Sequence, residues 1–180
     1  HLIVVDFETV EETNINRQLF ALDSTVGQKK VNVAAQRIHD INPDITVDAL
    51  DLFFDENSEI PTVPDFIIDA IDTVESKIAL YKWAVTHNVP IVSSMGAASK
   101  TEISQIKIAP LSRTTVCPLA SRVRRMTRDM GLPDIPVVYS TQTPAPVSGH
   151  AKNLGSVITV TGTFGLMLAN YVIGKIIQDI

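Results

Sequence analysis

The sequence predicts an α/β protein built on a doubly wound, mostly parallel sheet. Short apolar runs alternate with longer stretches that repeat at helical period. One run, Phe66–Ala70, reads as a strand covered on both faces. The turns that follow two of the runs are rich in acids, at Asp6 and at Asp69-Ala70-Ile71-Asp72.

Taken in order, Leu2–Asp6 is a short strand ending in an acid. Thr25–Ile41 reads as a helix, with Val31, Ala34, Ile38 and Ile41 on one stripe and Thr25 and Gln28 at capping-box spacing. Asn42-Pro43 stops it, and Ile45–Leu50 is the next strand. After Phe66–Ala70 comes a helix over Val74–Asn88. Asp72 and Glu75 have capping-box spacing there, and Val74, Ile78, Tyr81 and Val85 form its apolar stripe. Pro90–Ser94 is a strand, and the alternation in Ile103–Ala109 suits an antiparallel one. Pro118–Met130 is a basic helix with proline in its first turn, Pro136–Thr141 a strand and Thr141–Gly149 a loop. From Asn153 to Gly174 there are 22 residues without charge. As a helix these would span roughly 33 Å, enough for a bilayer core. Their glycines, serine, threonines and asparagine favour a buried helix of a soluble protein over a membrane span.

The 180 residues suffice for one domain with a real core. The one cysteine, Cys117, excludes an internal disulfide and a four-cysteine zinc site; it suits a reducing compartment, so the expected location is the cytoplasm. The chain opens on His1 and runs straight into a strand without a signal peptide, which reads as a sequence continuing upstream. The net charge of -5 divides unevenly: residues 1–75 carry -12 and residues 76–180 carry +7. A basic half points to a polyanion contact or to a solvated helix face.

Four places bear groups suited to phosphate chemistry. Asp6, at a strand end, can accept hydrogen bonds from ribose hydroxyls. Thr13-Asn14-Ile15-Asn16-Arg17-Gln18 supplies amides and a guanidinium able to clamp phosphate oxygens. Lys30 falls in the first turn of a helix, where the dipole disfavours a cation unless an anion lies nearby. Asp72 follows a strand at the carboxyl edge of the sheet, where it can hold Mg²⁺ with substrate phosphates or simply cap the next helix.

Val5-Asp6-Phe7-Glu8-Thr9-Val10, Thr13-Asn14-Ile15-Asn16-Arg17-Gln18, Val26-Gly27-Gln28-Lys29-Lys30, Ile41-Asn42-Pro43 and Asp69-Ala70-Ile71-Asp72 resemble in their order the superfamily of activating enzymes that adenylate carboxylates. Ser94-Met95-Gly96-Ala97, Cys117-Pro118-Leu119-Ala120 and Val138-Tyr139-Ser140-Thr141 resemble its tRNA threonylcarbamoyladenosine dehydratase branch, which closes a side chain beside the anticodon into a ring. The resemblance covers nearly the whole chain. It implies one adenylating domain over residues 1–180, on a Rossmann-like sheet with additional antiparallel strands; the superfamily's first strand and Gly-rich loop have no counterpart in these residues. It implies ATP and Mg²⁺ as cofactors. Asp6 would bind the ribose, Asn14, Arg17, Gln18 and Lys30 the phosphates, and Asp72 the metal, with Arg17, Lys30 and Asp72 catalytic. With tRNA as substrate, Arg113, Arg122, Arg124, Arg125 and Arg128 become backbone contacts. A homodimer and a sulfur-transfer partner protein also follow from the resemblance, whereas DNA and membrane do not. Cys117 reads as a structural residue, with a cargo-carrying role the alternative.

Two other readings remain at this level. One is an enzyme that activates a ubiquitin-like sulfur carrier, although many of those carry paired Cys-x-x-Cys motifs that this chain cannot form. The other is a non-catalytic interaction module. A plain dinucleotide-binding domain fits less well, because Arg17, Lys30 and Asp72 suit a triphosphate and metal better than hydride transfer.

Overall fold

The computed structural model describes residues 1–143 and 155–178. They fall into two compact units, His1–Glu59 and Ile60–Ile180.

In the first unit, β1 (Leu2–Val5) pairs in parallel with β2 (Val47–Leu50), Leu2 opposite Val47 and Val5 opposite Leu50. The crossover between them carries α1 (Lys30–Ile41). Val10, Ala21 and Val33 form a small core with Phe20 against it. The expected helix start at Thr25 is corrected: α1 begins five residues later. Thr25 Oγ1 accepts from the Leu22 N–H (2.8 Å) and closes a 3₁₀ turn over Asp23–Thr25, so it caps no helix. Gly27 then turns the backbone at φ +87°, a left-handed conformation that ends any helix begun upstream. Gln28 has no capping role either; its side chain donates to Ser24 O (3.0 Å).

Among the described residues, the second unit has four strands in the order β3-β4-β6-β5: Ile67–Asp69, Ile91–Ser94, Pro136–Ser140 and Ile106–Pro110. The first three are parallel, and β5 runs antiparallel to β6, as its alternation predicts. Helices cover both faces. On one, α2 (Val74–Thr86) and α3 (Pro118–Asp129) bury Ile78, Tyr81, Ala84 and Val123 against Ile67, Ile91, Val137 and Tyr139. On the other, α4 (Ile158–Gln178) buries Val160, Phe164, Leu168 and Val172 against Val92, Ile106 and Val138. The doubly wound α/β architecture is therefore present, and among the described residues the strands are hydrogen-bonded as two sheets, one in each unit.

Four further expectations change. β3 is not covered on both faces: it is an edge strand and Ile68 is 48% exposed. The Asp72/Glu75 capping box does not form. Thr73 is the N-cap of α2 without a side-chain capping bond, and Glu75 pairs with Arg122 instead. Val85 leaves the stripe of α2, its side chain exposed. The last helix is buried on one stripe only, with Leu166 69%, Ile173 54% and Ile177 65% exposed. By length and composition α4 could cross a membrane. Most of the loop expected over Thr141–Gly149 lies outside the described residues.

Candidate functional site

The first unit holds five of the six residues expected to bind nucleotide. Asp6 stands one residue past β1, where its N–H still donates to Leu50 O (3.2 Å). Its Oδ1 accepts from the Glu8 N–H (2.8 Å), which turns the chain sharply after the strand. Glu8 in turn pairs with Lys30, whose side chain is only 5% exposed. The anion called for by a cation at a helix start is thus supplied within the chain. Sequence reasoning missed Glu8, although it lies inside the quoted Val5–Val10 segment. Lys29 fastens the same turn, donating to Phe7 O (2.9 Å) and Asp51 Oδ1 (3.0 Å).

Asn14, Arg17 and Gln18 share one turn. Asn14 is buried, and its carbonyls tie the turn together: Oδ1 accepts from Glu11 N (3.1 Å), and the backbone O from Arg17 N (3.0 Å) and Gln18 N (2.9 Å). The Arg17 guanidinium donates to Thr13 O (2.5 Å) and Asn16 Oδ1 (3.2 Å). Gln18 Oε1 is buried with no hydrogen-bond partner among the described residues, an arrangement that costs free energy until a donor arrives.

The sixth residue, Asp72, belongs to the second unit. It is exposed in the turn between β3 and α2, at the carboxyl end of a parallel strand. Beneath it lies a group of residues that the sequence did not reveal. Asp69, the polar residue inside the supposedly apolar run, is buried with Lys77, both side chains at 0% exposure and 2.6 Å apart. Ser93 donates to Asp69 Oδ2 (2.5 Å), and Tyr81 donates to Ser93 Oγ (2.7 Å). Burial, and then the charge of Asp69, push the Tyr81 phenol well above its ordinary pKa, so it remains a donor. No spacing rule announces this group, because its members come from β3, α2 and β4.

No cluster of three or more potential metal ligands occurs among the described residues. A single exposed carboxylate nevertheless fits Mg²⁺, which is commonly held by one or two carboxylates together with substrate phosphates.

The arginines of α3 line a depression of about 450 Å³, with Pro118, Ser121, Arg122, Arg124, Arg125 and Arg128 around it. Their circumstances differ. Arg122 pairs with Glu75 (3.0 Å) and Arg128 with Asp129 (3.5 Å), all exposed. Arg124 is half-buried and donates to Thr114 O (2.8 Å) and Thr114 Oγ1 (2.5 Å). Arg113 and Arg125 are exposed and have no ion-pair partner among the described residues. Cys117 is buried at the N-cap of α3, where its Sγ accepts from Ala120 N (3.5 Å). Its burial suits a structural cysteine.

The sequence matches the ThiF family over residues 1–179, through both units. The chain belongs to the ThiF family. Within it, the chain is 35% identical to tRNA threonylcarbamoyladenosine dehydratase of Bacillus subtilis, over 99% of this chain and 78% of that protein. The structure is similar to that of TcdA (CsdL), with a TM-score of 0.90, 31% identity, and 98% and 76% of the two chains covered. It is also similar to Escherichia coli TcdA in complex with ATP, with a TM-score of 0.89, 29% identity, and 98% and 75% covered.

Proposed function

We propose that the protein carries out the ATP-dependent cyclisation of threonylcarbamoyladenosine in tRNA, with net loss of water, through an acyl-adenylate. The observation that carries this reading is the match, over nearly the whole chain, to dehydratases of that name. We read residues 1–180 as one adenylating domain because the ThiF match runs through both units.

In this reading the substrate carboxylate attacks the α-phosphorus of ATP and pyrophosphate leaves. The reaction brings negative charges together, so preorganised cations are needed where charge accumulates. Lys30, held by Glu8, and Arg17, fixed in its turn, supply them. Asn14 and Gln18 line the phosphates, and Asp6 takes the ribose with the carboxylate oxygen not bonded to Glu8 N. Asp72 would hold Mg²⁺, which when bound would offset phosphate charge. A nitrogen of the same side chain then attacks the activated carbonyl, closes the ring and displaces AMP. Tethering makes that step intramolecular. The tRNA backbone lies along Arg113, Arg122, Arg125 and Arg128, with Arg124 shaping the surface. The lone buried cysteine suits a cytoplasmic location.

The test is to incubate the full-length gene product with ATP, Mg²⁺ and tRNA bearing threonylcarbamoyladenosine, and to weigh the nucleosides. Loss of one water that depends on ATP and falls about 100-fold or more in rate on Asp72→Ala is the expected result. Pyrophosphate exchange with a small carrier protein, and no water loss, would replace this reading with carrier activation.

A further inference from the structure

The fully buried Asp69–Lys77 pair has no evident reason to exist as a source of stability. Removing two charges from water costs more than their attraction commonly returns, and apolar residues of similar volume often do as well or better. What the pair does have is connectivity. The Lys77 ammonium has three N–H groups, and all are used: on Asp69 Oδ2 (2.6 Å), Ser93 Oγ (3.1 Å) and Ser94 O (3.1 Å). Asp69 Oδ2 also takes the Ser93 hydroxyl, while Oδ1 accepts from the Ile71 N–H (2.9 Å). One carboxylate therefore joins the end of β3 to α2, to β4 and to the backbone of the turn that follows it.

That turn is Ala70–Thr73. The Oδ1 bond folds it back over Asp69, sends Asp72 into solvent and delivers Thr73 as the N-cap of α2. No side-chain cap holds Thr73 there, and Asp72 accepts a long bond from Thr73 Oγ1 (3.5 Å). The turn is held from below, through Asp69.

We propose that Asp69 and Lys77 are positioning residues, whose buried pair fixes the Ala70–Thr73 turn so that Asp72 presents its carboxylate to the phosphates. The inference rests on the reading of Asp72 given above. Asp69 accepts the turn's N–H, and Lys77 holds the Asp69 carboxylate in the one orientation in which it can do so. Neither side chain touches substrate.

The experiment compares three variants of the full-length protein in the tRNA dehydration assay, with thermal unfolding measured alongside. Asp69→Leu/Lys77→Met removes both charges and the acceptor for Ile71 N. It is expected to unfold no lower than the parent, while kcat falls about 100-fold, the effect of a misplacement near 1 Å. KM for tRNA should stay within about threefold, since tRNA binding is not at issue. Asp69→Asn/Lys77→Met is also uncharged but keeps an oxygen for Ile71 N, and should regain about tenfold of that kcat, the remaining deficit being the loss of Lys77's hold on the oxygen. Asp72→Ala calibrates the site.

A Leu/Met variant that turns over like the parent beside an inactive Asp72→Ala would overturn the positioning role alone. An Asp72→Ala variant with full turnover would remove the reading of Asp72 and this inference with it. A Leu/Met variant that fails to fold would make the pair a stability element, and an Asn/Met variant as slow as Leu/Met would assign the effect to charge. Either result rejects the proposal.

Discussion

Arg124 and Arg125 stand side by side on α3, yet only the first has its guanidinium spent on the protein itself, bonded to Thr114. Arg125 is exposed and faces the depression without a partner among the described residues. Their substitutions should therefore separate. Arg125→Ala is expected to leave stability within about 0.5 kcal/mol. It should weaken tRNA binding and reduce the salt dependence of binding by about one phosphate contact. Arg124→Ala should cost about 1.5–3 kcal/mol in urea unfolding, the worth of hydrogen bonds from a charged donor. Equal loss of tRNA affinity with no loss of stability in Arg124→Ala would show that its bonds to Thr114 do not matter. Glu8 makes a similar point. It is half of an ion pair with the cation best placed for phosphate, so the charge offered to a nucleotide at Lys30 is already partly balanced.

At the scale of elements, the attachment of α2 to the sheet is polar as well as apolar. Tyr81 is 1% exposed and donates to Ser93 on β4. Near neutral pH Tyr81→Phe should cost about 1 kcal/mol, the net value of one hydrogen bond. The pH dependence follows from the raised phenol pKa. Unfolded, the group loses its proton near its ordinary value of 10.0, whereas the folded protein keeps it. Its contribution to stability is complete below that value and declines as pH rises through it, because the unfolded state then binds fewer protons. Urea midpoints of parent and Tyr81→Phe should therefore converge between about pH 9 and pH 11. Parallel curves would mean that the phenol titrates normally in the folded protein.

At the scale of the molecule, α4 leaves open the face opposite its buried stripe. Leu166, Ile173 and Ile177 recur at spacings of seven and four, which places them on one line of a helix. Exposed apolar side chains in one line make this face a candidate interaction surface. Taken with the homodimer implied by the sequence resemblance, the expected occupant is a second copy. Leu166→Glu/Ile173→Glu should then convert a dimer to a monomer in sedimentation, with the fold intact by circular dichroism. An unchanged mass would exclude this face from the interface, and flotation of the parent with lipid vesicles would assign it to a membrane.

The order of the elements and the family were legible in the sequence, because both rest on local signals: the period of the apolar residues, the strand-ending acid at Asp6, proline at the start of α3, and short motifs in a fixed order. Those signals also marked Lys30 and Asp72 as candidates. They failed where the outcome depends on partners distant in sequence or on competing local bonds. Thr25 had the spacing of a helix cap, but its hydroxyl closes the preceding turn and Gly27 reverses the backbone. Asp69 looked like a member of an apolar run or an acidic turn, and only the meeting of β3, α2 and β4 makes it a buried ion pair. Five arginines looked alike until the fold engaged Arg124 and left Arg125 open. A sequence records what each residue can bond to, while the tertiary structure decides which of those bonds are made, since burial removes water as the alternative partner.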